Sequence, residues 1–115
     1  MFSHITVGSN DIARSKAFYD NVAQPLDLVR HMEFPDGIGY GAKDGRPQLW
    51  IVRPLDKNAA TVGNGITIGL DADTRPAVDA AYAAAIANGG RDEGKPGLRP
   101  DYHANYYGAY VRDPD

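Results

Sequence analysis

The chain of 115 residues contains no cysteine. This absence excludes a disulfide scaffold, an iron–sulfur cluster, a thiolate zinc site and a cysteine nucleophile. No apolar run approaches the roughly 20 residues that a membrane-spanning helix needs. The first residues, Met1 to His4, run directly into a strand-like pattern, which leaves no room for a signal peptide. Together these absences predict a cytoplasmic protein that has no membrane partner.

Blocks of like charge are also absent. The net charge of −3 arises from 12 basic and 15 acidic residues of interspersed sign, and such a surface gives little reason to expect a nucleic-acid partner. Hydrophobic residues make up 43% of the chain, as in ordinary globular proteins, which argues against disorder. The chain is instead rich in glycine (13) and proline (8), clustered between candidate elements. This distribution indicates many short strands and turns.

The first half of the chain has the pattern of a strand followed by a helix. Residues 2–7 alternate, so that Ile5 and Val7 point to one face and His4 to the other. A run of capping residues then precedes a helix predicted over residues 12–23. The second half begins in the same order, with an alternating strand predicted over 66–70 and a helix over 75–88.

Equivalent residues of the two halves are separated by a constant 63 positions, which we interpret as an internal duplication. The pairs with this spacing are His4 and Thr67, Ile5 and Ile68, Asp11 and Thr74, and Tyr19 and Tyr82.

Further strands complete a βαβββ unit in the first half only. Three strands are predicted over residues 28–34, 38–43 and 48–53, separated by turns rich in glycine, proline and aspartate. In the second half, residues 106–109 occupy the place of residues 39–42, and the sequence then reaches a turn and ends. We therefore expect the second unit to lack its final strand here, and the native chain to continue with one.

This order of elements resembles the vicinal-oxygen-chelate superfamily, the group of glyoxalases, bleomycin resistance proteins and extradiol dioxygenases. Its members commonly begin with a histidine on a short strand, here His4, followed by a helix with an acidic cap and an aromatic pair, here Asp11 and Phe18-Tyr19. The segment Tyr106 to Asp115 resembles the family's closing hairpin, and Gln48 to Ile51 resembles its fourth strand.

The resemblance implies a single α+β domain over residues 1–115. Two paired βαβββ modules, of about residues 1–60 and 61–115, would form a curved mixed sheet around a cup, with the final strand of the second module missing. Members with two modules often dimerise, and an unpaired sheet edge invites pairing with another chain. We therefore expect a homodimer that binds a small-molecule ligand.

The resemblance also raises the question of a metal. Superfamily enzymes hold one divalent ion with histidine and glutamate ligands from both modules, and the ion acts as a Lewis acid on vicinal oxygens. His4 stands at the first ligand position, but Thr67 and Leu49 stand where other members place a second histidine and a glutamate, and the last glutamate would fall beyond Asp115. Because tight sites need about three or four protein ligands, we expect a degenerate site without a cofactor.

The tyrosines are the second group of candidate ligand-binding residues. Three of them crowd the last strand, and neighbouring strand positions face opposite ways. Either Tyr106 and Tyr110 line the cup, or Tyr107 does; the alternative for all three is ordinary sheet packing with the hydroxyls at the surface.

Other candidates carry a less specific signal. Trp50 could form the apolar wall of the cup or anchor an interface. His103 lies in a polar, aromatic stretch and is either a solvated loop residue or an acid–base group. Arg53, at a strand end, could pair with an anionic ligand, although such arginines are usually solvated.

Two functions remain open from the sequence. The first is a binding module whose aromatic cup, lined by residues such as Trp50, Leu49 and Thr67, holds a small molecule without a metal. The alternative is a metal-dependent lyase or dioxygenase of the glyoxalase type, in which zinc, nickel, manganese or iron is held by His4 and a C-terminal glutamate that this chain does not contain.

Overall fold

The computed structural model describes all 115 residues. In chain order the elements are β1 (Ile5–Gly8), α1 (Ile12–Ala23), a 3-10 turn (Gln24–Leu26), β2 (Leu28–Phe34), β3 (Gly37–Ala42), β4 (Leu49–Val52), α2 (Arg75–Ala87), β5 (Arg91–Leu98) and β6 (Tyr107–Arg112). A four-stranded mixed sheet has the order β1-β4-β3-β2, and β5 and β6 form a separate antiparallel hairpin. The predicted α+β class is confirmed. Neither helix has the length and apolar character needed to cross a membrane.

Both helices begin at side-chain caps that the sequence predicted. The carboxylate of Asp11 accepts a hydrogen bond from the amide of Arg14 (3.0 Å), and the hydroxyl of Thr74 accepts one from the amide of Ala77 (3.1 Å). Each cap satisfies an amide that has no partner within the helix. The first residues of α1 and α2 are 63 positions apart, as are those of β2 and β5, so the spacing of the duplicated sequence is preserved in the structure.

The first core lies between α1 and one face of the four-stranded sheet. Ile38, Tyr40 and Ile51 are almost fully buried, and Ala23 of α1 packs against them. Burying side chains of this size contributes about 1.5–3 kcal/mol each. Because side chains alternate along a strand, the same register leaves the glycines of β3 on the opposite face, which is called the open face below.

The second core lies between the two helices. Phe18 and Val22 of α1 pack against Ala85 of α2, and Val111 of β6 joins them. Thus α1 packs against the four-stranded sheet on one side and against α2 and the hairpin on the other. No strand of the sheet contacts a strand of the hairpin. The helices separate the two β-structures, so one chain does not enclose a cup between them.

The C-terminal turn attaches the second half of the chain to α1. The hydroxyl of Tyr19 donates to the carboxylate of Asp113 (2.7 Å). The Asp115 side chain, only 4% exposed, pairs with Arg14 and accepts from the hydroxyl of Ser15 (3.2 Å). These contacts join positions about one hundred residues apart in sequence. This group of residues is called the C-terminal latch below.

The prediction of a strand over residues 66–70 is wrong. The segment has no β-pairing; Ile66 is 72% exposed, and only Ile68 packs against the first core. The equivalent segment of the first half, β1, is a strand because it forms backbone hydrogen bonds with the parallel strand β4. The second half has no counterpart of β4 within the chain described, so the backbone groups of 66–70 have no ladder to join.

Candidate functional site

The open face of the four-stranded sheet carries an aromatic surface. Trp50 lies over Gly39, where an added Cβ would come within 2.9 Å of the indole ring. The ring of Phe34 stacks beside it, with centroids 6.3 Å apart and planes 12° from parallel. Phe34 is 50% exposed. Because position 39 is a glycine, the indole ring can come close to the backbone of β3 at this point. Trp50, Phe34 and Gly39 are called the aromatic platform below.

His4 lies at the edge of this face. Thr6 is opposite Trp50 in the parallel pairing of β1 and β4, and alternation puts the exposed side chain of His4 on the same side as Thr6. The imidazole Nδ1 is 2.8 Å from the hydroxyl of Ser3. The predicted orientation of His4, away from Ile5, therefore agrees with the strand register.

Leu49 is not on the open face. It is a member of the first core, packed with Ile38 and Ile51 beneath α1. The expectation that Leu49 lines a cup is thus corrected, because alternation along β4 directs Trp50 outward and its neighbour inward. A glutamate at position 49 would have to be buried in this apolar core.

A second aromatic surface lies on the hairpin of β5 and β6. The hydroxyls of Tyr106 and Tyr110 are 3.2 Å apart, so the two rings lie on one face. The guanidinium of Arg99 is 5.8 Å from the centroid of the Tyr110 ring, a cation–π distance. The hydrogen bond with Tyr106, together with burial, raises the pKa of Tyr110 to about 12. Tyr106, Tyr110 and Arg99 are called the hairpin cluster below.

Tyr107 faces the other way. Its hydroxyl donates to the carboxylate of Asp79 on α2 (2.6 Å), and this hydrogen bond raises the pKa of the Tyr107 phenol above its ordinary value. The sequence left two arrangements open; in the structure Tyr106 and Tyr110 lie on the face of the hairpin that points away from α2, and Tyr107 lies on the face toward α2.

His103 lies in the exposed loop before β6, edge-on to Tyr106 (5.4 Å), and its Nδ1 accepts a hydrogen bond from the amide of Asn105. That bond places any ring proton of a neutral His103 on Nε2.

The structure does not bring the predicted site residues into one cavity. Thr67 is exposed in the unpaired segment 66–70, and it is neither hydrogen-bonded to nor paired with His4. Two surface cavities, of about 240 and 190 Å³, are lined mostly by residues that were not predicted as site residues. Of the predicted residues, Arg53 lines the larger cavity, and Tyr107 lines the smaller one together with Thr74 and Asn105. The predicted residues form separate groups on the sheet and on the hairpin.

The residues present do not fit a divalent metal. No three histidine, aspartate or glutamate side chains of residues 1–115 lie close enough together to hold an ion. His4 has a serine hydroxyl as its hydrogen-bond partner, and stable sites of this kind need about three protein ligands. The described residues therefore do not supply the ligand set that a metal-dependent step of the glyoxalase type needs.

Three members of these surfaces are not among the residues predicted from the sequence, namely Phe34, Gly39 and Arg99. In the sequence Phe34 stands only at the end of a predicted strand, and the alternating glycines within Gly37 to Ala42 are the signal that could indicate a face open to stacking. For Arg99 no comparable signal exists, because a hairpin loop of unknown shape separates it from Tyr110.

Comparison with known proteins agrees with this architecture. A family model described as Glyoxalase/Bleomycin resistance protein/Dioxygenase superfamily matches residues 1–115. The crystal structure of a glyoxalase/bleomycin resistance protein from Albidiferax ferrireducens T118 is 40% identical, with a TM-score of 0.87 over 100% of this chain and 91% of that chain. No curated protein sequence matches the chain.

More distant structures share the fold. A glyoxalase-related enzyme from Fulvimarina pelagi is 18% identical, with a TM-score of 0.73 over 99% of this chain and 81% of that chain. A glyoxalase/bleomycin resistance protein/dioxygenase family enzyme from Burkholderia phytofirmans PsJN is 21% identical, with a TM-score of 0.64 over 97% and 89%. From the family match over the whole chain and the 40% identity to the Albidiferax protein, the chain belongs to the glyoxalase/bleomycin resistance protein/dioxygenase superfamily.

Proposed function

We propose that this protein binds a planar or amphipathic small molecule on its aromatic platform, by stacking and apolar burial and without a metal. The observation that carries the proposal is the indole of Trp50 close against Gly39, with the ring of Phe34 nearly parallel beside it. Two nearly parallel rings, of which Phe34 is half exposed, offer a planar ligand a contact area, and stacked aromatic pairs gain about 0.5–1.5 kcal/mol beyond simple burial.

The hairpin cluster supplies the opposite wall of the binding cup in this proposal. Within one chain the helical layer separates the hairpin from the sheet, so a cup with both walls requires two chains. We infer that the protein acts as a homodimer in which the platform of one copy faces Tyr106, Tyr110 and Arg99 of its partner. The guanidinium of Arg99 would give this wall a preference for electron-rich or anionic ligands.

The proposal is tested through Trp50, the only tryptophan of the chain. A panel of planar aromatic compounds is titrated while tryptophan emission is followed, and binding should quench or shift the emission saturably. The matched variant is Gly39→Ala, which keeps every aromatic ring but lifts the indole, because its Cβ would meet the ring at 2.9 Å. We expect this variant to bind about two- to tenfold more weakly, since the stacking contribution is lost.

The control is Gly45→Ala, in the turn between β3 and β4, where the nearest atom to an added Cβ is 3.4 Å away and belongs to Ala42. It should bind like the wild type. Equal affinity of the Gly39→Ala variant for a ligand that quenches Trp50 would contradict stacking on the platform, as would the absence of any saturable ligand in a broad panel.

A further inference from the structure

A surface cavity of about 240 Å³ lies beyond the ends of β1 and β4. These strands are parallel neighbours, with Gly8 opposite Val52 at their carboxyl ends. The cavity is lined by the residues that follow each strand, namely Ser9, Asn10, Arg53, Pro54, Lys57, Asn58 and Ala59. The cavity shares no residue with the aromatic platform or the hairpin cluster.

The lining is positively charged, although the protein as a whole has a net charge of −3. It contains Arg53 and Lys57 and no carboxylate. Lys57 forms no ion pair within the chain. The Nε of Arg53 is 3.2 Å from Asp36, and both side chains of this pair are more than half exposed. Exposed pairs of this kind contribute little stability, so an incoming anion can compete with Asp36 for the guanidinium.

The rest of the lining is held in place by hydrogen bonds. The side-chain amide of Asn10 bonds both backbone groups of Ala60, at 2.7 and 3.2 Å. The side chain and amide of Asn58 are both bound by Asp56. The amide N–H of Ala59, between these two anchors, has no acceptor in the protein. A fixed loop with a free backbone donor, the unpaired Lys57 and the exposed, weakly paired Arg53 is a preformed arrangement, which lowers the entropic cost of binding.

We propose that this cavity binds a small phosphate-type oxyanion, held by the ammonium of Lys57, the guanidinium of Arg53 and the amide of Ala59. Arginine matches the geometry of such oxyanions through paired N–H donors, and lysine adds a point charge. Two cations favour a dianion over a monoanion. This site is independent of the proposed stacking function, because a ligand here touches none of the platform residues.

The test is a titration with inorganic phosphate at constant ionic strength, followed by amide NMR. We expect saturable shifts at Asn10, Asn58 and Ala59 in the wild type. Two variants give opposite predictions. Lys57→Asn removes the cation but suits the positive φ of 68° at this position, and should weaken binding at least about threefold. Asp36→Asn releases Arg53 and should strengthen binding.

Lys43→Asn, at an exposed lysine outside the cavity, is the matched control and should bind like the wild type. An acetate titration provides the second arm and should give weaker binding than phosphate. The proposal is overturned if phosphate causes no saturable shift at these amides, if Lys57→Asn and Lys43→Asn behave alike, or if Asp36→Asn fails to strengthen binding. Thermal unfolding of each variant establishes that the loop and fold are intact.

Discussion

The C-terminal latch makes a strong prediction about how the two halves of the chain are held together. Tyr19 on α1 donates a hydrogen bond of 2.7 Å to Asp113, whose other carboxylate oxygen accepts from the amide of Asp115. The substitution Tyr19→Phe removes only the hydroxyl. The ring remains and keeps its edge-on contact with Phe18, at 4.9 Å between centroids. The expected loss is therefore that of one hydrogen bond to a charged group in a half-buried site.

Such a bond contributes about 1.5–3 kcal/mol to the free energy of unfolding. Loss of the donor also leaves the Asp113 carboxylate with one partner fewer in a half-buried position, which places the cost toward the upper part of that range. For a domain of this size, the melting temperature should fall by roughly 3–5 °C for each kcal/mol.

The measurement is urea unfolding of the wild type, Tyr19→Phe, Asp113→Ala and the double variant. If the two side chains act through one bond, the double variant should cost clearly less than the sum of the single changes. The matched control is Tyr107→Phe, which removes a tyrosine–aspartate bond of similar length (2.6 Å) that is exposed and lies within the second half. That control should lose less than about 1 kcal/mol.

Additive costs in this cycle would refute the latch as a coupled interaction. So would a Tyr19→Phe variant no less stable than Tyr107→Phe, because burial of the Tyr19 bond is the reason for expecting the larger effect.

Two further predictions concern pH and assembly. Burial, and then a neighbouring carboxylate, raise the pKa values of Tyr19 and Tyr40 above the ordinary tyrosine value. Their contribution to stability is therefore complete below about pH 10 and declines above it, by up to about 1.4 kcal/mol per pH unit for each phenol. The urea midpoint should fall between about pH 10 and 11.5, less steeply in Tyr19→Phe, and a midpoint that does not change with pH would contradict this assignment. Light scattering should show that the wild type is a dimer at micromolar concentration. The substitution Phe34→Asp should dissociate this dimer, whereas the control Leu55→Asp, at a 96% exposed position, should not. A monomeric wild type would exclude the two-chain cup.

Much of the fold was predictable because its signals are local. The caps at Asp11 and Thr74 fix where the helices begin, since each side chain acts on an amide three residues away. Alternation in β1 and the turn residues around β3 likewise gave strands close to those observed. The α+β class and the superfamily were both predicted from this order of elements and are confirmed.

The candidate site was less predictable, because the function of a strand residue depends on which face the helix covers. Alternation separates Leu49 from Trp50 and Tyr106 from Tyr107, but only the packing of α1 and α2 decides which of each pair is buried and which is open. The segment 66–70 shows the same limit: its alternating pattern is that of a strand, yet it has no β-pairing.

By itself, then, the sequence determined the helices, their caps, the strands of the first half and the supply of aromatic and cationic side chains. These depend on interactions that span a few residues or on composition. Only the tertiary structure decided that the helices lie between the sheet and the hairpin, that Trp50 rests on Gly39, and that Arg53 and Lys57 share a cavity with Asn10. These arrangements join residues distant in the chain, and a strand forms only where another strand satisfies its backbone hydrogen bonds.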